Sequence, residues 1–75
     1  MKEKIYTLEE FRRWVKIQLV KKEISQNELA RRMGIPQARI SEATHGKPSG
    51  DKHILSIIQE LGGDVEDFKE FLKAI

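Results

Sequence analysis

The side chains able to do chemistry in this sequence are few, and their types favour hydrogen bonding over covalent work. His45, Asp51 and His53 are the only close-set candidates for metal binding or proton transfer. They lie across a stretch read as loop, not on one helix face, and no cysteine or carboxylate cluster completes a ligand set. No nucleophile, base and orienting group occur together. The chain has no cysteine, which rules out disulfides and thiolate zinc sites. No enzymatic activity, metal or cofactor is therefore expected. What remains are amides, hydroxyls and cations, concentrated between Gln26 and Lys52, whose chemistry is recognition: an amide offers a donor and an acceptor side by side, and a cation neutralises an anion.

The distribution of charge says more than its sum. The net charge is only +2. Yet Arg12, Arg13, Lys16, Lys21, Lys22, Arg31, Arg32 and Arg39 face only Glu23 and Glu28 over the same span. From Glu60 onward, Glu60, Asp64, Glu66, Asp67 and Glu70 outweigh Lys69 and Lys73. A basic half beside an acidic end suggests one side that faces a polyanion, although solvated helix faces would give the same pattern.

At 75 residues the chain has room for one domain, 1–75, and no separate ligand-sensing domain, so no small-molecule ligand is expected. A core this small often needs help from a partner subunit. Met1 to Tyr6 is mostly charged, and no apolar run approaches the roughly 20 residues of a spanning helix. A cytoplasmic protein with no membrane association is expected.

The elements that must position these residues read as all-α, five helical segments with short punctuation. Thr7 and Glu10 have capping-box spacing, and Leu8, Phe11, Val15 and Leu19 then fall on one helical face, with Trp14 at its border. Ser25 and Glu28 repeat the capping-box spacing before a short helix through Met33, stopped by Gly34. A third helix spans 37–44 and is closed by Gly46. Lys47-Pro48-Ser49-Gly50 reads as loop. The fourth helix begins near Asp51 and carries Ile54, Leu55, Ile57, Ile58 and Leu61 up to Gly62-Gly63. Asp64 caps the last, with Val65, Phe68, Leu72 and Ile75 at helical spacing and Phe71 beside them.

The stretch Gln26 to Ser41 has a steric logic of its own. Two helices joined by a three- or four-residue turn cross steeply, which needs a small side chain at the contact, and Ala30 supplies it. The turn favours a left-handed residue, and Gly34 follows Ala30 by four. Ile40 then pins the second helix, making Leu29, Ile35 and Ile40 the expected buried wedge. Pro36 presets φ at the start of the second helix.

With Gln-x-x-Leu-Ala-x-x-x-Gly and the following Ile-Ser, this unit resembles the helix-turn-helix of lambda-repressor-like (Cro/CI or XRE-type) DNA-binding domains. The resemblance covers the five-helix order over nearly the whole chain. It implies a compact five-helix domain with the helix-turn-helix at helices 2 and 3, and a DNA-binding transcription regulator of the phage or mobile-element repressor type. The recognition helix, 37–44, would lie in the major groove of double-stranded DNA. The residues implied as base contacts are Gln37, Ala38, Ser41 and Glu42. An amide at Gln37 suits adenine, and Ala38 could touch only a thymine methyl. Gln26 matches a phosphate-binding position at a helix start. Asn27, Arg39, His45, Lys47, Ser49 and Lys52 are further phosphate candidates, with His53 beside them. A homodimer on a pseudo-palindromic site is expected, since one module offers few base contacts.

Departures from the family pattern leave choices open. Glu42 either accepts from a cytosine amine or points away from the groove. Pro36 replaces the usual Ser or Thr cap, the segment before the fourth helix is about one residue longer, and Ile58 stands where a small residue is common. A second reading is a protein-interaction module such as an antitoxin or antirepressor. It needs Trp14, Phe68, Phe71, Leu72 and Ile75 to leave an apolar patch, whereas a last helix folded back on the first would bury them.

Overall fold

The helix starts and stops are set by local chemistry. In a computed structural model describing residues 4–75, α1 spans Leu8–Lys22. The first three residues of the expected domain lie outside that range. The Thr7 hydroxyl accepts from the Glu10 amide at 3.1 Å, and the Glu10 carboxylate accepts from the Tyr6 and Thr7 amides at 2.9 and 3.0 Å. Three otherwise unpaired amide donors are thereby satisfied, those of Thr7 and Glu10 in the reciprocal arrangement that the spacing predicts. At Ser25 only half of the expected box forms. Its hydroxyl accepts from the Glu28 amide, but the Glu28 carboxylate turns instead to Arg31 and Arg32.

Helix α2 spans Gln26–Met33, α3 Gln37–Thr44 and α5 Ile54–Glu60. The α1, α2, α3 and α5 helices all close in the same way, with a left-handed residue one or two positions past the last helical residue and the next amide reaching back five residues. These bonds run from Ile24 to Leu19, Ile35 to Ala30, Lys47 to Glu42 and Gly63 to Ile58, at 2.8–3.1 Å. Glycine fills the left-handed position in three of them, whereas α1 uses Glu23 at φ 55°.

The segment read as loop is partly helical. Pro48–Asp51 forms a one-turn helix, α4, with Pro48 in its first turn, and α5 begins only at Ile54. Packing explains the correction. Gly50 is buried against the backbone of α3, so close that a Cβ there would sit 2.2 Å from the Ala43 amide nitrogen. The last helix is also divided, into a 3-10 turn Val65–Phe68 and α6 Lys69–Lys73, with Asp64 capping through the Glu66 amide. No strand occurs among the described residues, so the chain is all-α.

One core joins these elements. Phe11, Val15 and Leu19 of α1 meet Leu29, Ala30, Ile40, Ala43, Ile54, Ile57, Ile58, Leu61, Phe68 and Phe71. Phe11 stacks on Phe71 with ring centroids 5.1 Å apart, and Trp14 meets Phe68 edge-on at 4.7 Å. The C-terminal segment thus folds back onto α1. Phe68 and Phe71 are buried and Trp14 and Leu72 half-buried, so of the residues that an uncovered apolar patch required, only Ile75 is exposed. Ile58 packs fully inside, and Ile35 is half-buried at the rim of the Leu29–Ile40 wedge. Among the described residues, no helix is long and apolar enough to cross a membrane.

Candidate nucleic-acid interface

A three-residue turn, Gly34-Ile35-Pro36, carries the chain from α2 into α3. Gly34 sits at φ 69°, and no atom lies within 4 Å of where its Cβ would be. Its requirement is therefore backbone conformation, not space. Ala30 and Leu29 on α2 and Ile40 on α3 are buried. Pro36 precedes α3 at φ −63° and provides no side-chain cap, since its ring carries no hydrogen-bonding group.

Helix α3 buries Ile40, Ala43 and Thr44 and turns its other side outward. Gln37, Ser41 and His45 follow one another at four-residue intervals along that side, with Gln37 and Ala38 exposed at its start. Both expected base readers at the helix start therefore have free side chains. The Ser41 carbonyl is occupied. It accepts from the Thr44 hydroxyl at 2.9 Å and from His45 Nδ1 at 2.8 Å. A carbonyl only accepts, so Nδ1 carries the hydrogen and Nε2 is the nitrogen left outward. Ser41, Glu42, His45 and Lys47 line one shallow hollow at the end of the helix.

Arg39, expected among the phosphate contacts, is not a free cation. Its Nη1 donates to Glu42 Oε1 at 2.7 Å. Hydrogen bonds from Arg39 and then from the Ser49 hydroxyl hold the Glu42 carboxyl below the usual carboxylate range, and the charges of Arg39 and Lys47 add to the effect. Of the two fates open to Glu42, the carboxylate turns towards Arg39 and the α4 segment. The i,i+3 spacing of these two residues was the available signal for their pairing.

The remaining expected contacts divide into two groups. Gln26 is half-buried at the first position of α2, with Asn27 exposed beside it. Lys47, Ser49 and Lys52 are exposed around α4. His53 stands apart, half-buried in a groove with Arg32, Met33 and Ile35. No group of three His, Cys, Asp or Glu side chains able to hold a metal occurs among the described residues, so His45, Asp51 and His53 do not converge.

No protein-family model, no curated protein and no solved structure matches this chain.

Proposed function

We propose that this chain is a sequence-specific double-stranded DNA-binding regulator of the lambda-repressor-like, helix-turn-helix class, a repressor of the phage or mobile-element type. The observation that carries it is the side of α3 left uncovered by the core. An eight-residue helix, held across α2 by a glycine turn, offers Gln37 and Ala38 at its exposed N-terminal end. A helix of roughly 10–12 Å diameter matches a major groove about 12 Å wide. Gln37 carries the bidentate donor–acceptor pair that adenine's N7 and N6 require. Ser41 adds a hydroxyl one turn on. Gln26 and Asn27 at the start of α2, and His45, Lys47, Ser49 and Lys52 beyond α3, are the backbone-contacting groups on either side.

Few base edges are within reach of one such helix, so two copies on half-sites about one helical turn apart supply the specificity. Selection of bound sites from a random 20-bp duplex library tests the whole reading. Recovery of a two-fold-related motif containing A·T pairs is the expected result. Failure to enrich any sequence, or to retain duplex at low salt, removes the reading.

A further inference from the structure

Helix α1 carries cations that none of the contacts above uses, and its two flanks differ. Trp14 and Phe11 face one way, against Phe68 and Phe71. That flank belongs to the acidic end of the chain, with Glu66, Asp67 and Glu70 on the segments packed there. Beside the Leu8–Phe11–Val15–Leu19 face, the other flank carries Arg12 and Lys16, which continue from Leu8 at one-turn intervals. Leu8 fixes where this column starts. It packs against Gly46, so closely that a Cβ on Gly46 would lie 2.7 Å from Leu8 Cδ2. Gly46 stands between His45 and Lys47, at the end of α3. The column therefore begins beside those two residues, and α1 leads on to the turn before Gln26 and Asn27.

Electrostatics separates the residues of this flank. Glu9, Arg12, Arg13 and Lys16 line a common hollow. The Glu9 carboxylate is held by Arg13 at 3.5 Å. No ion pair ties Arg12 or Lys16 to a carboxylate among the described residues. Arg12 is half-buried, its stem lying along the protein, and Lys16 is exposed. Two cations with no ion-pair partner among the described residues thus stand along α1, between its start beside Gly46 and its end at the turn that leads to Gln26.

We infer that Arg12 and Lys16 form a further phosphate-binding site, which grips the DNA backbone between the contacts made by His45 and Lys47 and those made by Gln26 and Asn27. This rests on the DNA-binding reading above. The occupant is the sugar–phosphate backbone of a duplex, because the site offers charge without an amide or aromatic side chain to read a base.

The test compares the salt dependence of binding to a duplex selected by the wild-type chain from the random library. Two phosphate contacts contribute a slope of about 1.8 in log affinity against log salt, so Arg12→Gln with Lys16→Gln should lower that slope by roughly two. Affinity at 50 mM salt should fall about tenfold or more, with the selected sequence unchanged. Lys16→Gln alone, at an exposed position, should remove about half of the slope change and guards against misfolding of the double variant. Lys69→Gln with Lys73→Gln makes the same change in net charge on the other side of the molecule and should leave the slope as it was. An unaltered slope in the Arg12/Lys16 variant, with wild-type binding intact, overturns this site alone. An equal loss in the Lys69/Lys73 variant overturns it too, by making the effect one of total charge. If the wild-type chain selects no duplex, the DNA-binding reading falls first and this site with it.

Discussion

Arg39 and Glu42 are joined across one turn of α3 by a 2.7 Å hydrogen bond, so the only cation on the proposed recognition helix is neutralised by that helix's only carboxylate. Ser49 anchors the same carboxylate from α4. The pair makes the helix nearly neutral on the side proposed to meet a polyanion. Its strength against bulk phosphate rests on geometry, since an exposed pair on its own contributes little.

Glu42→Gln removes the negative charge and releases Arg39. Affinity for mixed-sequence duplex at low salt should rise several-fold, and the salt slope should steepen by about one as the freed guanidinium takes a phosphate. Fluorescence anisotropy over a salt series measures both. Loss of preference at a C·G pair, with no gain in affinity, would instead make Glu42 a reader of the cytosine amine.

The left-handed residues give opposite predictions at two equivalent helix ends. Glu23 adopts φ 55°, where a side chain is strained, and is exposed. Glu23→Gly should stabilise the fold by a few tenths to about 1 kcal/mol, the relief of strain exceeding the added freedom of the unfolded chain. Gly34→Ala meets no steric obstacle and should cost only the conformational term, about 1–2 kcal/mol. Urea midpoints at constant m-value check the pair.

Gly50 is glycine for a different reason. A methyl group there would lie 2.2 Å from Ala43 N and 2.6 Å from Ala43 Cα, both backbone atoms that cannot swing aside. Gly50→Ala must lift α4 from α3. A loss of about 3 kcal/mol or more is expected, near the upper end for overpacking. Thermal unfolding measures it, and a melting curve like wild type would show that α4 is not held against α3.

These positions show what was legible in the sequence. The Thr7–Glu10 box, the Gly34 turn and the Leu29–Ala30–Ile40 contact could be read because each depends on residues within about a dozen positions of one another. The stacking of Phe68 and Phe71 on α1 was one of two fates compatible with their spacing, and only the packed core decides between them. Helix α4 was missed because Pro48-Ser49-Gly50 has the composition of a turn. Its helical geometry is imposed by close packing on α3, a contact that local pattern does not record. The Glu28 carboxylate shows the converse limit. Its position three residues after Ser25 suited a capping box, but Arg31 and Arg32 lie one turn ahead and compete for it.

The acid sensitivity of the fold should begin at α1. Hydrogen bonds from the Tyr6 and Thr7 amides hold the Glu10 carboxyl below its ordinary value of 4.5. A folded-state value that is lowered stabilises above the unfolded value, and that stabilisation is lost as pH falls through the folded value. Melting temperature should therefore decline below about pH 4.5. Glu10→Gln should melt lower at pH 7 and lose less on acidification. Thr7→Ala, which removes the other half of the box, should cost about 1 kcal/mol at neutral pH. Parallel acid limbs in wild type and Glu10→Gln would assign the sensitivity to other carboxylates.

Gln37 is the residue on which the proposed base recognition turns, and its exposure at the start of α3 allows a clean substitution. Gln37→Ala leaves a helix-favouring residue and removes no core contact, so the melting temperature should hold. The two hydrogen bonds to adenine would be lost, while the phosphate contacts from α2, α4 and α1 would persist. Affinity for the selected duplex should fall by the roughly 1–3 kcal/mol of a bidentate base contact, and affinity for mixed-sequence duplex should change little. The ratio of the two affinities is therefore the informative quantity, because it cancels the electrostatic background common to both. Repeating the site selection with the variant should relax the sequence requirement at one base pair in each half-site. Equal weakening on both duplexes would make Gln37 a backbone contact and move base reading to Ser41.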